Sequence, residues 1–200
     1  LSPAAEKTHG VLDGYRIGTY PPRPRNYGPS YEPPAGYIQV GEQSRHLPIS
    51  QSFRLGEFLT KNQHERWPKY QVLDMRLIDK LELVIEELRE MGYEADHLFI
   101  MSGYRTPEYN GAGVGGRARY SRHIYGDAAD VWLDSTGDGR MDDLNGDGRS
   151  DIRDARVLAE AVDRVERQYP DLVGGVGVYG PKEPRGPFVH IDIRGRRARW

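Results

Sequence analysis

"SRHIYGDAADVWLD", Ser121 to Asp134, joins a polar segment carrying one histidine and several acids to "AADVWL" (128–133), which reads as a strand. Strand alternation sends Ala129, Val131 and Leu133 to one face and Ala128, Asp130 and Trp132 to the other. The first set belongs to a core. Working outward, "FVHIDI" (188–193) obeys the same rule, with Val189, Ile191 and Ile193 inward and Phe188, His190 and Asp192 opposite. Two neighbouring strands can therefore present Asp130 and His190 to a common point away from the core, with His123 joining from the loop ahead.

The remaining elements set the fold class. "HLFIMS" (97–102) reads as a buried strand followed by a turn at "GYRTPEYN". In "LDMRLIDKLELVIEELREMG" (73–92), Leu77, Leu81, Val84, Leu88 and Met91 recur at helical spacing, Asp74 can cap the start and Gly92 the end, and the acidic remainder reads as a solvated face. "IRDARVLAEAVDRVERQY" (152–169) predicts a second helix stopped by Pro170, and "SFRLGEFL" a short one with Ser52 as N-cap and Phe53, Leu55 and Phe58 inward. The order helix, strand, strand, helix, strand is not a regular βαβ alternation. It predicts an α+β fold: a small antiparallel or mixed sheet with helices packed on one side and a cleft on the other.

Seven of the 14 prolines fall between Pro21 and Pro48, where missing donors and fixed φ oppose regular structure. Residues 1–48 are thus expected to form an extended proline-rich arm, lying against a domain at 49–200 through Tyr15, Tyr20, Tyr27, Tyr31 and Tyr37. With 200 residues and 37% hydrophobic content, one core of ordinary size is affordable, and no apolar run approaches the ~20 residues of a membrane-spanning helix. A soluble protein is expected. A formal net charge of -2 favours neither nucleic acid nor an acidic membrane surface as partner. The absence of cysteine excludes disulfides, thiolate ligands and a cysteine nucleophile, so a transition-metal site must use His, Asp or Glu.

Two imidazoles and one carboxylate, His123, Asp130 and His190, suit Zn²⁺ and leave its fourth position open. "SGYRTPEYN" (102–110), "SRHIYGDAADV" (121–131) and "FVHID" (188–192), taken together, resemble peptidase family M15, the zinc D-Ala-D-Ala carboxypeptidases and murein endopeptidases. The likeness is greatest to the bacterial cell-wall branch once classed as a domain of unknown function, and it spans roughly Ser52 to Trp200. The family pattern S-x-H, six residues, D, then a later strand His falls on Ser121, His123, Asp130 and His190. The resemblance implies that His123, Asp130 and His190 bind zinc. It also implies that Arg105 holds a substrate carboxylate or developing oxyanion, and that Ser121 hydrogen-bonds around the metal or the peptide. Many members carry Glu or Asp three residues before the last histidine as general base; here that position is Pro187. Asp192 is then the first candidate base, with Asp127 and Glu183 behind it, and a carboxylate that merely orients His190 is the other reading of Asp192.

"DSTGDGRMD" (134–142) is followed directly by "DLNGDGRSD" (143–151), a tandem repeat inserted at 134–154. The second copy, extended to Asp154, has the oxygen spacing and sixth-place glycine of a calcium loop. Expected structural Ca²⁺ ligands are Asp134, Thr136, Asp138, Asp142, Asp143, Asn145, Asp147, Asp151 and Asp154. Low-affinity calcium loops suit an exported, periplasmic or extracellular protein associated with the cell wall. The expected function is a zinc peptidase of peptidoglycan stem peptides. The alternatives are a catalytically weak zinc module that binds wall peptides and a calcium-organised adhesion module. The basic end "RGRRARW" (194–200) reads as a solvated tail with Trp200 packed on the body.

Overall fold

The computed structural model describes residues 1–111 and 117–200. In chain order its strands and helices are β1 (Ser2–Pro3), β2 (Val11–Leu12), β3 (Tyr15–Arg16), β4 (Gly36–Val40), β5 (Lys69–Gln71), α1 (Met75–Glu90), β6 (Leu98–Ser102), α2 (Pro107–Asn110), β7 (Ala128–Leu133), α3 (Ile152–Gln168), β8 (Gly175–Tyr179), β9 (Phe188–Asp192) and β10 (Ala198–Arg199). The fold is α+β. The chain divides into two compact units, one of residues 1–49, 54–74 and 102–128, the other of 50–53, 75–101 and 129–200.

In the first unit β4 is flanked by β1 and β5, both antiparallel to it, and β2 pairs with β3. Its core is aromatic: Tyr15, Tyr20, Tyr37, Tyr70 and Tyr125 pack with Leu12, Ile17 and Ile124. Phenols can fill a core because each hydroxyl is amphipathic and can seek a partner. Tyr20 and Tyr104 share a 3.0 Å hydrogen bond, and burial pushes the Tyr15 hydroxyl up to about 12. The amino-terminal tyrosines Tyr15, Tyr20 and Tyr37 are therefore interior residues of a compact unit. The short turn predicted from Ser52 is a 3₁₀ turn at Leu55–Phe58 headed by Arg54. Ser52 does not cap it, because the Ser52 amide and hydroxyl instead donate to the Glu82 carboxylate at 2.7 and 2.8 Å.

The second unit carries a five-stranded mixed sheet ordered β10-β8-β9-β7-β6. β8 and β9 are antiparallel, pairing Val176 with Ile191, Gly177 with His190 and Tyr179 with Phe188, while β10 runs parallel to β8. α1 and α3 contribute Leu77, Leu81, Val84, Leu88, Leu158 and Val162, all essentially inaccessible to water. Each is worth about 1.5–3 kcal/mol of burial. Gly92, at φ +95°, ends α1 by adopting the left-handed conformation that L side chains avoid. The polar face of α1 is not uniformly solvated. Lys80 is fully buried and donates to Glu166 of α3 at 2.7 Å and to the backbone carbonyl of Asp192 at 2.9 Å, tying both helices to β9. Among the described residues no helix is long and apolar enough to cross a membrane.

Candidate metal centre

Asp130 sits in mid-β7, and the residues beside it, Ala129 and Val131, are fully buried, as alternation requires. In β9, Val189 and Ile191 likewise face the core, so His190 and Asp192 project from the opposite face. Across the two strands His190 Nδ1 lies 2.9 Å from Asp130 Oδ1, and on the other side of the ring Nε2 lies 3.1 Å from Asp192 Oδ2. Burial alone would lower the pKa of this imidazole; the two carboxylates outweigh it and hold the ring up to about 8.

His123 lies in the 3₁₀ turn Arg122–Tyr125, which Gly126 closes at φ +74°. A Cβ on Gly126 would stand 2.3 Å from the Val72 carbonyl oxygen, so both the turn and its close approach require glycine. His123 Nδ1 lies 2.7 Å from the Gly103 carbonyl. A carbonyl can only accept, so Nδ1 carries a proton, and in the neutral ring this leaves the Nε2 lone pair for a metal. His123, Asp130 and His190 are all buried, and Asp130 and His190 meet within the second unit. Two imidazoles and a carboxylate suit zinc with one position left open, the metal taking the place of the His190 proton.

The other expected site residues are placed as follows. The Arg105 amide donates to the His123 carbonyl at 3.1 Å and its Nε to Ser102 Oγ at 2.8 Å, so the start of the "SGYR" segment is laced to the histidine turn. Ser121 immediately precedes that turn, half-buried, and its side chain makes no cap bond. Asp127 is held by Arg122, whose Nε lies 3.0 and 3.1 Å from its two oxygens. Asp192 is fully buried and accepts from the Gly175 amide at 2.7 Å, the Arg194 amide at 3.0 Å and the Arg194 guanidinium. Burial opposes its ionisation, but these donors and His190 together hold its carboxyl far below the usual carboxylate range. Glu183 lies exposed in the loop before β9.

A family model described as Peptidase M15 matches residues 53–144. Over this stretch the chain is similar to the peptidase M15 family. The match contains His123 and Asp130; His190 lies beyond its end and is bonded to Asp130 across β9 and β7. The match supports a peptidase, a hydrolase acting on peptide substrates, and zinc dependence is a general property of that family. No curated protein and no solved structure matches the chain.

Sequence reasoning missed β8 and its edge partner β10. "GGVGVY" holds glycines where a strand would ordinarily carry packing side chains. A Cβ on Gly175 would stand 2.5 Å from Asp192 Oδ2, and one on Gly177 2.5 Å from the Trp200 indole nitrogen. Glycine within an otherwise apolar run was the available signal for this close approach. The basic end is also less solvated than expected. Arg199 pairs with Asp163 and Glu166, Arg197 with Asp163, and Arg194 with Asp192.

In the insert, the Asp134 carboxylate accepts from the amides of Gly137, Asp138 and Gly139 at 2.7–3.1 Å. Asp143 does the same with Gly146, Asp147 and Gly148 at 2.6–3.1 Å, so the sequence repeat is a backbone repeat as well. Asp151 and Asp154 form a capping box at the start of α3, and Asp154 also accepts from the amides of Leu144 and Asn145. Thr136, Asp138, Asn145 and Asp147 lie exposed around these turns, with Asp142 partly shielded.

Proposed function

We propose that this protein is an exported zinc peptidase that hydrolyses amide bonds in bacterial peptidoglycan stem peptides, of D,D-carboxypeptidase or murein endopeptidase type. The observation that carries the reading is the buried Asp130–His190 pair, together with the buried His123, in a chain whose residues 53–144 match the M15 family model. Bound there, zinc would supply Lewis-acid polarisation of the scissile carbonyl and acidify water at the open position. The chain's own residues prepare that position. The Gly103 carbonyl fixes the His123 tautomer, and Asp192 fixes the His190 ring through Nε2. Arg105 would offer its planar donor fork to a substrate carboxylate or the developing oxyanion, and Ser121 a hydroxyl to the peptide.

Of the two roles weighed for Asp192, orienting His190 is the one supported by its burial and saturated oxygens. Asp127 is likewise engaged, by Arg122, which leaves the exposed Glu183 as the candidate base. A non-catalytic module that binds wall peptides is the second reading, favoured by Pro187 where the family's usual base would stand. Incubating zinc-loaded protein with purified muropeptides, with and without chelator, decides between them by mass analysis of the products. Chelator-sensitive cleavage is the expected result. Intact muropeptides with zinc still bound would establish the binding module. For the insert, structural Ca²⁺ at the Asp134 and Asp143 turns remains part of the proposal, supported by the repeated inward turn of the two leading carboxylates.

A further inference from the structure

Beside the metal centre, Trp200 is 49% exposed yet held at several points. β10 runs beside β8, and the register Ala198 to Gly175 and Arg199 to Val176 carries Trp200 on to the level of Gly177, the partner of His190. Its backbone is anchored twice, by Val178 N–H donating to the Trp200 carbonyl at 2.8 Å and Trp200 N–H to Val176 at 3.2 Å. Its indole N–H donates to the Tyr179 hydroxyl at 2.7 Å. These bonds direct one face of the half-exposed ring toward β9. There its centroid is 5.4 Å from that of the His190 ring, and the Arg194 guanidinium carbon lies 5.2 Å from it.

His190 and Arg194 are the two side chains that grip the Asp192 carboxylate, one on each side. The indole thus packs on both ends of a His190–Asp192–Arg194 relay whose far end is a metal ligand. Bonds at its two nitrogens hold the His190 ring at Asp130 and Asp192, and an aromatic side chain packed beside the ring opposes rotation about the axis joining them. Gly177 provides the room, since a Cβ there would overlap the indole at 2.5 to 2.9 Å from three of its atoms.

Resting on the metal-centre reading, we propose that Trp200 is a positioning residue for zinc binding, clamping the His190–Asp192–Arg194 relay, and that Gly177 is glycine in order to seat it. Trp200 need not touch substrate for this role. The experiment is zinc affinity by competition with a chromophoric chelator, alongside thermal unfolding of the metal-free proteins, for wild type, Trp200→Ala, Trp200→Phe, Gly177→Ala and Tyr179→Phe. Outer supports of metal ligands typically contribute about 10–100-fold in affinity, and Trp200→Ala is expected to lose about 10-fold. Gly177→Ala is expected to lose a similar factor although the tryptophan is still present, because its Cβ displaces the ring. Trp200→Phe restores most of the affinity, and Tyr179→Phe loses a smaller factor in the same direction.

Unchanged zinc affinity in Gly177→Ala and Trp200→Ala, with or without loss of thermal stability, overturns the proposal and leaves Trp200 a packing residue. Should Trp200→Ala fail to fold, Gly177→Ala and Tyr179→Phe carry the same decision. Wild type that binds no zinc overturns the metal-centre reading itself, and is recognised before any variant is compared.

Discussion

Asp130 and Asp134 stand four residues apart and illustrate two ways of holding a carboxylate. Asp130 is buried in the middle of β7, and its partner, His190, comes from a strand 60 residues further on. Asp134 lies just past the strand end, and its oxygens take backbone amides within the next five residues. The first arrangement depends on the whole sheet, the second only on its own turn. A long-range carboxylate in low dielectric is expensive to leave unpaired, whereas a local one at the surface can exchange its partners for water. Changes around Asp130 should therefore propagate and changes around Asp134 should stay local.

The largest effect is expected at the ligands. His190→Ala or His123→Ala leaves two donors, and zinc retention and peptide cleavage should both fall to background, measured by metal content after dialysis and by muropeptide digestion. A variant that keeps stoichiometric zinc and wild-type cleavage would remove that residue from the centre. Next comes the support beneath β9. Lys80 is fully buried against Glu166 and the Asp192 carbonyl, and truncating one member of such a pair strands the other. Lys80→Ala is expected to cost about 3–5 kcal/mol in denaturant unfolding. A loss below 1 kcal/mol would mean that Arg199, which also pairs with Glu166, suffices alone. Smaller again is Asp192→Asn, which keeps the shape but halves the acceptor strength facing His190. A zinc affinity about 10–100-fold weaker is the expected result for a ligand-orienting carboxylate. If Asp192 were instead the base, zinc affinity would hold and only turnover would fall, while Glu183→Gln would do nothing.

The same contrast explains what the sequence made legible. Alternation in "AADVWL" and "FVHIDI" identified both metal-centre strands and their outward faces, because a period of two depends only on local backbone geometry. The helices at Met75–Glu90 and Ile152–Gln168 were readable from their apolar stripes for the same reason. Strand β8 was not, because its glycines answer to Asp192 and Trp200, side chains that arrive from elsewhere in the chain. Ser52 misled because a hydroxyl beside an apolar run predicts a cap only when no distant carboxylate claims it, and Glu82 does. Lys80 was absorbed into a polar face because nothing local marks a lysine whose partners lie on α3 and β9. Tyr15, Tyr20 and Tyr37 are expected from the sequence to lie against a folded body, but their burial follows from partners such as Tyr70, Tyr104 and Ile124 far along the chain.

The smallest expected effect completes the test of locality. In Asp134→Ala with Asp143→Ala, each turn loses one carboxylate and exposes three amides that water can reach. By analogy with the loss of a helix cap, each should cost about 1 kcal/mol. Zinc affinity in that double variant should stay within threefold of wild type, because neither carboxylate belongs to the His190–Asp192–Arg194 relay. Calcium enters as a separate variable: if the turns hold it, millimolar Ca²⁺ raises the melting temperature of wild type but not of the double variant. A calcium-independent wild type would leave the turns as amide-capped loops. A double variant that also loses zinc would instead tie the insert to the metal centre through Leu133 and Asp142, whose backbone hydrogen bond at 2.9 Å joins the end of β7 to the first repeat.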